Sequence, residues 1–115
     1  MATIKINDHI TLNQGITSEE GEPIYKLIVD SLSKEEDVTL DFQDVTFLTT
    51  AFLNMVIGTL YKDYTSEQLQ SKLHVLNIND ETAARIKKVT TNAKSFYGDE
   101  EKFNKVVDNS IYGNV

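Results

Sequence analysis

The clearest pattern in the chain is a change of hydrophobic period near residue 50. Val38, Leu40 and Phe42 alternate with polar residues, which predicts a strand with one face in a core. After residue 51 the apolar residues point in nearly every direction around a helix, and they are Phe52, Leu53, Met55, Val56, Ile57, Leu60 and Tyr61. A helix with this pattern is expected to be enclosed by other elements.

Two adjacent hydroxyl residues, Thr49 and Thr50, join the predicted strand to the predicted helix. Either can be the N-cap, because a hydroxyl oxygen can accept a hydrogen bond from an unpaired N–H of the first turn. The same position suits a phosphate, since a helix N-terminus carries partial positive charge. Any switchable site in this chain is therefore predicted at Thr49 and Thr50.

The first third of the chain predicts two short strands followed by a helix. Ile4 and Ile6, then Ile10 and Leu12, indicate strands that form a hairpin or bend around residues 7–8. Thr17 to Glu20 offers a capped helix start, and Pro23 suits the first turn of the helix. The apolar stripe of that helix consists of Ile24, Leu27, Ile28 and Leu32.

The second half predicts a strand and two helices. Residues 72–78 form a strand whose apolar density favours an internal position in the sheet, with Leu73 and Val75 inward. Residues 79–80 can start a helix that ends at Gly98. One face of this helix carries Ala83, Ile86, Val89, Ala93 and Phe96. A last helix begins at Asp99, with a stripe of Phe103, Val106, Val107 and Ile111.

This order of elements predicts an α/β fold. We expect a small mixed β-sheet of about four strands with helices packed against it. A chain of 115 residues is long enough for one two-layer core and too short for two, so residues 1–115 are predicted to form a single domain.

The segment at residues 41–53, DFQDVTFLTTAFL, resembles the signature of STAS domains, the fold of anti-sigma-factor antagonists. Those domains carry a strand, an apolar stretch and an Asp-Ser-Ser-Gly-Leu-type turn into a helix. In that family a partner kinase of the histidine-kinase-like ATPase type phosphorylates the first serine, which breaks the complex. Thr50 matches this serine, whereas Thr49 stands at the aspartate and Phe52 at the glycine.

The resemblance is closer to a branch of STAS-like domains of unassigned function. In that branch an Asp-Phe strand precedes a Phe-Leu-Asn helix start and a later glycine. The corresponding residues here are Asp41, Phe42, Phe52, Leu53, Asn54 and Gly58. The resemblance implies a STAS-like fold, and it leaves the task of the domain open because one scaffold serves many functions.

Composition and charge narrow the classes of partner. Eleven basic and eighteen acidic residues give a net charge of −7, which opposes binding to nucleic acid or to an anionic membrane. The chain has no cysteine, and it shows neither a signal peptide nor an apolar run of membrane-spanning length. We therefore expect a cytoplasmic protein.

The residues that carry chemistry give little support for an enzyme. His9 and His74 lie far apart and belong to no metal-binding spacing, and the phosphate loop and nucleophile elbow motifs are missing. The sequence thus predicts no catalytic residue, no metal and no cofactor. Asp41 and Asp44 flank the strand end and form a weaker candidate for cation binding or acid–base chemistry than for a binding surface.

The function predicted from these observations is that of a non-enzymatic regulatory module that docks a protein partner. The predicted partner-binding residues are Asp44, Thr49, Thr50, Ala51 and Asn54. The family resemblance implies a histidine-kinase-like ATPase as the partner and Thr50 as the phosphorylated residue, with Thr49 as second candidate.

Two alternatives stay open at this point. One is a constitutive scaffold or assembly subunit, in which both threonines only cap the helix. The other is a module that binds an anionic small molecule at the helix N-terminus. Phe96 and Tyr97 are candidates for an aromatic contact patch. The oligomeric state does not follow from the sequence.

Overall fold

Short strands and helices alternate along the chain in the computed structural model, which describes residues 2–98. The strands are Ala2–Lys5 (β1), Gln14–Gly15 (β2), Val38–Asp41 (β3), Phe47–Leu48 (β4) and Leu73–Leu76 (β5). The helices are Ser18–Ser33 (α1), Thr50–Val56 (α2), Ser66–Lys72 (α3) and Asp80–Ala93 (α4). Turns of 3₁₀-helix occupy Ile6–His9 and Gly58–Lys62, and a π-helical turn occupies Lys94–Gly98. The helix predicted from Asp99 lies outside the described residues.

The larger sheet is parallel and has β3 at its centre, in the order β1-β3-β5. All four residues of β3 are buried, including Thr39 and Asp41, so the prediction of a single core face for this strand was wrong. A central strand of a parallel sheet is covered on both faces, which explains the difference. Among the described strands β5 lies at an edge, so its predicted internal position was also wrong.

The smaller sheet consists of β2 and β4, which pair in parallel. The predicted N-terminal hairpin was wrong, because β1 pairs with β3 and is followed by a 3₁₀ turn. Leu12 and Asn13 have φ angles of 56° and 58°, so a tight turn stands where the second strand was expected. The α/β class is confirmed. Residues 2–98 form five strands in two parallel sheets, where one mixed sheet of about four strands was predicted.

Helix α1 begins as the sequence predicts, with Thr17 and Glu20 forming a reciprocal capping box. Ile24, Ile28 and Leu32 are buried, whereas Leu27, the fourth member of the stripe, is exposed. Pro23 was predicted in the first turn, and this was wrong because α1 starts at Ser18.

Both α1 and α4 pack against α2 and cover Phe52, Leu53 and Val56. Thr50, Ala51 and Asn54 are exposed, so the prediction that the whole of this helix is enclosed was wrong. The helix is shorter than predicted, since the chain tightens into the 3₁₀ turn after Ile57. Helix α3 was not predicted, although its capping box of Thr65 and Gln68 was visible in the sequence. The buried apolar core includes Ile4, Ile6, Ile24, Ile28, Val38, Leu40, Leu48, Phe52, Leu53, Val56, Leu60 and Val89.

Helix α4 starts after an Asn79 cap, as predicted, and buries Val89 and Ala93. Phe96 was predicted on the same face, but its side chain is 70% exposed. The period changes to a π turn at Lys94, which turns Phe96 away from that face. None of the helices within residues 2–98 is both long enough and apolar enough to cross a membrane.

Candidate functional site

Two loops meet in front of α2 and fix the position of its first turn. The Thr46 N–H donates to the Asn13 carbonyl at 2.8 Å, and the Thr49 N–H donates to the Gly15 carbonyl at 3.0 Å. The Thr46 hydroxyl also donates to the Asn13 carbonyl, at 3.1 Å. Together with the pairing of β2 and β4, these bonds hold the start of α2 against the segment that leads into α1.

Thr49 is the N-cap of α2. Its hydroxyl oxygen accepts from the Phe52 N–H at 3.2 Å, and its hydroxyl proton is donated to the Ile16 carbonyl. Ile16 is held from the other side as well, because its N–H donates to the Glu20 carboxylate at 3.0 Å. The Thr49 hydroxyl is therefore committed to joining two segments of the backbone.

Thr50 has a different environment from its neighbour. It is the first residue of α2 and its side chain is exposed. Within residues 2–98 its hydroxyl has no hydrogen-bond partner, so it is free to react or to contact another molecule. The structure thus separates the two predicted site residues into one capping hydroxyl and one accessible hydroxyl.

Substitution of each threonine by alanine should separate these roles. Thr49→Ala is expected to lower the free energy of unfolding by about 1–2 kcal/mol, because it removes a helix cap. Thr50→Ala is the matched control and should change it by no more than about 0.5 kcal/mol. Urea unfolding followed by circular dichroism measures both values. Equal losses for the two variants would contradict the assignment of the cap to Thr49.

Asp41 and Asp44 both line a small cavity of about 130 Å³ at the end of β3. The Asp41 carboxylate accepts from the Asn77 side-chain amide at 2.8 Å and from the Gln43 N–H at 3.0 Å. The Asn77 bond, together with the Gln43 bond, lowers the pKa of Asp41, so this carboxylate is ionised at neutral pH and ties the end of β3 to the loop after β5. Asp44 is exposed on the loop before β4, with a φ of 66°. No group of three acidic, histidine or cysteine side chains within the described residues is placed to hold a metal ion.

An apolar rim, formed by Leu12, Ile16 and Phe47, was not predicted from the sequence. All three side chains are exposed, and Leu12 is 83% exposed. Ile16 lies beside Thr49 because its carbonyl accepts the hydrogen bond from the Thr49 hydroxyl. Phe47 lies near Thr49 because it precedes it by two residues in the chain. The Arg85 guanidinium lies 5.8 Å from the centroid of the Phe47 ring, which places α4 beside this rim. The only sign of this rim in the sequence was at β4. Neighbouring residues of a strand point to opposite faces, so Phe47 faces outward when Leu48 is buried.

A groove of about 350 Å³ begins immediately after Thr50 on the same face of α2. Ala51 and Asn54 are exposed along it, and Phe96 and Tyr97 form its far wall in an edge-to-face contact with ring centroids 4.8 Å apart. The lining residues are Ser18, Ala51, Asn54, Met55, Gly58, Thr59, Asn92, Ala93, Phe96 and Tyr97. This lining contains neither a basic nor an acidic side chain.

The site therefore brings together most of the predicted partner-binding residues. Thr50, Ala51 and Asn54 share the exposed face of α2, Thr49 lies beneath them as the cap, and Asp44 lies apart on the preceding loop. The predicted aromatic patch of Phe96 and Tyr97 adjoins the same face across the groove.

A known family covers the middle of the chain. Residues 20–83, more than half of the chain, match the family described as a STAS-like domain of unknown function (DUF4325). The chain belongs to this family. The matched region of this STAS-like domain contains all of α2 and both site threonines. No curated protein and no solved structure matches the chain significantly.

Proposed function

We propose that this STAS-like domain is a non-enzymatic regulatory module that docks a protein partner through the surface around Thr50. Phosphorylation of Thr50 opposes this docking. One observation carries the proposal: the Thr50 hydroxyl is exposed and unpartnered within residues 2–98, while the adjacent Thr49 performs the structural work of the cap.

The surroundings of Thr50 support a protein partner. The apolar rim adjoins Thr49 and the groove begins at Ala51, so exposed apolar and aromatic side chains lie near the residues that precede and follow Thr50. Such side chains supply most of the binding energy at protein interfaces. The groove lining and rim carry no acidic side chain, so the charge of −7 is spread over other surfaces.

The physical route of the switch is electrostatic and steric. A phosphate adds a charge of about −1.5 to −2 at neutral pH. In a packed interface centred on Thr50 the added charge must lose its hydration and its bulk must be accommodated, and both effects oppose docking. The exposed position means that phosphorylation itself requires no unfolding of α2.

The partner follows from the family resemblance of the Thr50 position, which implies a histidine-kinase-like ATPase. We expect the tagged protein to co-purify with such an ATPase from the host lysate in stoichiometric amount. Phosphopeptides that cover residues 45–62 should show the bound form to be mainly unmodified at Thr50. Recovery of the unphosphorylated protein alone, or with structural subunits, would instead indicate a constitutive scaffold.

Affinity for the purified partner tests the switch directly. Thr50→Glu is expected to weaken binding at least about tenfold, which corresponds to about 1.4 kcal/mol. Thr50→Gln has the same size without the charge, and Thr91→Glu places the same charge at another exposed threonine on α4; both should bind more tightly than Thr50→Glu. An unchanged affinity for Thr50→Glu would remove the switch from the function.

A further inference from the structure

One edge of the larger sheet is open among the described residues. Strand β1 pairs with β3 on one side, and no strand within residues 2–98 pairs with its other side. The Ala2 N–H donates at 2.8 Å to the carbonyl of Asp37, which directly precedes β3. In a parallel pair the backbone groups of successive residues point alternately toward the neighbouring strand and away from it. The N–H and carbonyl of Thr3 therefore point outward from this edge.

A cleft of about 500 Å³ adjoins this edge. All of β1 lines the cleft, and α1 contributes Leu27, Asp30 and Ser31. Leu27 is exposed, although the other three residues of the apolar stripe of α1 are buried. Outward-pointing backbone groups and an exposed apolar side chain thus lie together at the open edge. An edge of this kind is a template for pairing with another strand.

From these features we propose that two copies of the chain associate through β1. The two strands run antiparallel about a twofold axis at Thr3, so the three-stranded sheets of the two copies join into one. In this register the Thr3 N–H of each copy donates to the Thr3 carbonyl of the other. The two threonine side chains lie opposite each other, which is a favourable cross-strand pair.

A second copy of β1 matches the cleft in both apolar surface and charge. In the antiparallel register Ala2 of one copy lies opposite Ile4 of the other, so apolar side chains meet beside Leu27. Lys5 and Asp8 both line the cleft, so it offers a charge of each sign to the same two residues of the second copy. The net charge of −7 opposes association, but salt at about 0.15 M screens charges beyond about 8 Å.

Sedimentation velocity of the full chain at this salt concentration tests the association without any partner. The wild-type chain should change from monomer to dimer as its concentration rises. Thr3→Pro should weaken the dimer at least about tenfold, because proline has no N–H to donate. Thr3→Val is the matched control, because it keeps the backbone N–H and the β-branched shape, and it should dimerise like the wild type. Leu27→Ser should weaken the dimer by a smaller factor.

The monomer is expected to tolerate Thr3→Pro, because proline is accepted in an edge strand where the N–H points outward. Circular dichroism at a concentration where the wild type is monomeric checks this. If the proline variant is unfolded, Leu27→Ser decides, and an unchanged dimer in that variant overturns the proposal.

Two other results overturn the proposal. One is a wild-type chain that stays monomeric up to the highest concentration reached. The other is a dimer that the folded Thr3→Pro variant forms as well as the wild type, which would assign the contact to another surface. Thr50 does not line the cleft, and the experiment contains no partner, so its result is independent of the proposed function.

Discussion

Phe52→Ala is expected to lower the free energy of unfolding by about 3–5 kcal/mol, the range for removal of a buried phenylalanine ring. Phe52 is fully buried in the first turn of α2 and belongs to the core. Its ring lies so close to β2 that a Cβ built on Gly15 would stand 2.9 Å from two ring atoms. The loss would remove a large part of the stability of a small domain, which is about 5–15 kcal/mol.

Chemical unfolding monitored by circular dichroism measures this effect, and Phe96→Ala provides its control. Phe96 is 70% exposed, so the same truncation should cost no more than about 0.5 kcal/mol there. Similar losses in the two variants would contradict the assignment of Phe52 to the core.

Phe52 is one of the residues at which the chain differs from the STAS signature, and it is a buried core residue. The family resemblance places a glycine at this position, which permits a close approach of the backbone. Here the close approaches occur at Gly15, against the Phe52 ring, and at Gly21, against α2. In this chain the close approach occurs at glycines outside the motif. We expect Phe52→Gly to be even more damaging than Phe52→Ala, because it removes the same ring and adds the cost of a glycine within a helix.

The parts of the fold that the sequence predicted correctly have strong local signals. The capping box at Thr17 and the Asn79 cap mark helix starts that the structure confirms, because capping is decided by neighbouring residues. The burial of Phe52, Leu53 and Val56 in α2 was likewise predictable from the apolar residues of this helix, whereas its predicted enclosure on all sides was wrong. The family motif then identified the same helix as the centre of the site.

The errors concern features that distant residues decide. The turn at Leu12 leads into β2, which pairs with β4, and the paired residues are more than thirty positions apart in the chain. No local pattern in the sequence predicted this pairing. The burial of Thr39 and Asp41 depends on the position of β3 between two other strands. The different roles of Thr49 and Thr50 also depend on a distant residue. The Thr49 hydroxyl donates to the Ile16 carbonyl, and the two groups are close together only in the folded protein.

Gly21→Val is expected to lower the free energy of unfolding by about 2–3 kcal/mol through overpacking between α1 and α2. A Cβ at Gly21 would lie 3.0 Å from Val56 Cγ2, 3.1 Å from the Phe52 carbonyl oxygen and 3.2 Å from Met55 Cβ. The carbonyl oxygen belongs to the helix backbone and cannot rotate away, so α1 must move outward to admit a larger residue.

Glu22→Val is the matched control, because it places the same β-branched residue on the neighbouring, exposed position of α1. Urea unfolding should show a much smaller loss for this control, and equal losses would assign the effect to helix propensity instead of overpacking. The displacement of α1 has a second consequence. Ile16 lies just before α1, so a shift of α1 also moves the Ile16 carbonyl relative to Thr49. If the proposed function holds, Gly21→Val should therefore weaken partner binding as well, although Gly21 itself is buried.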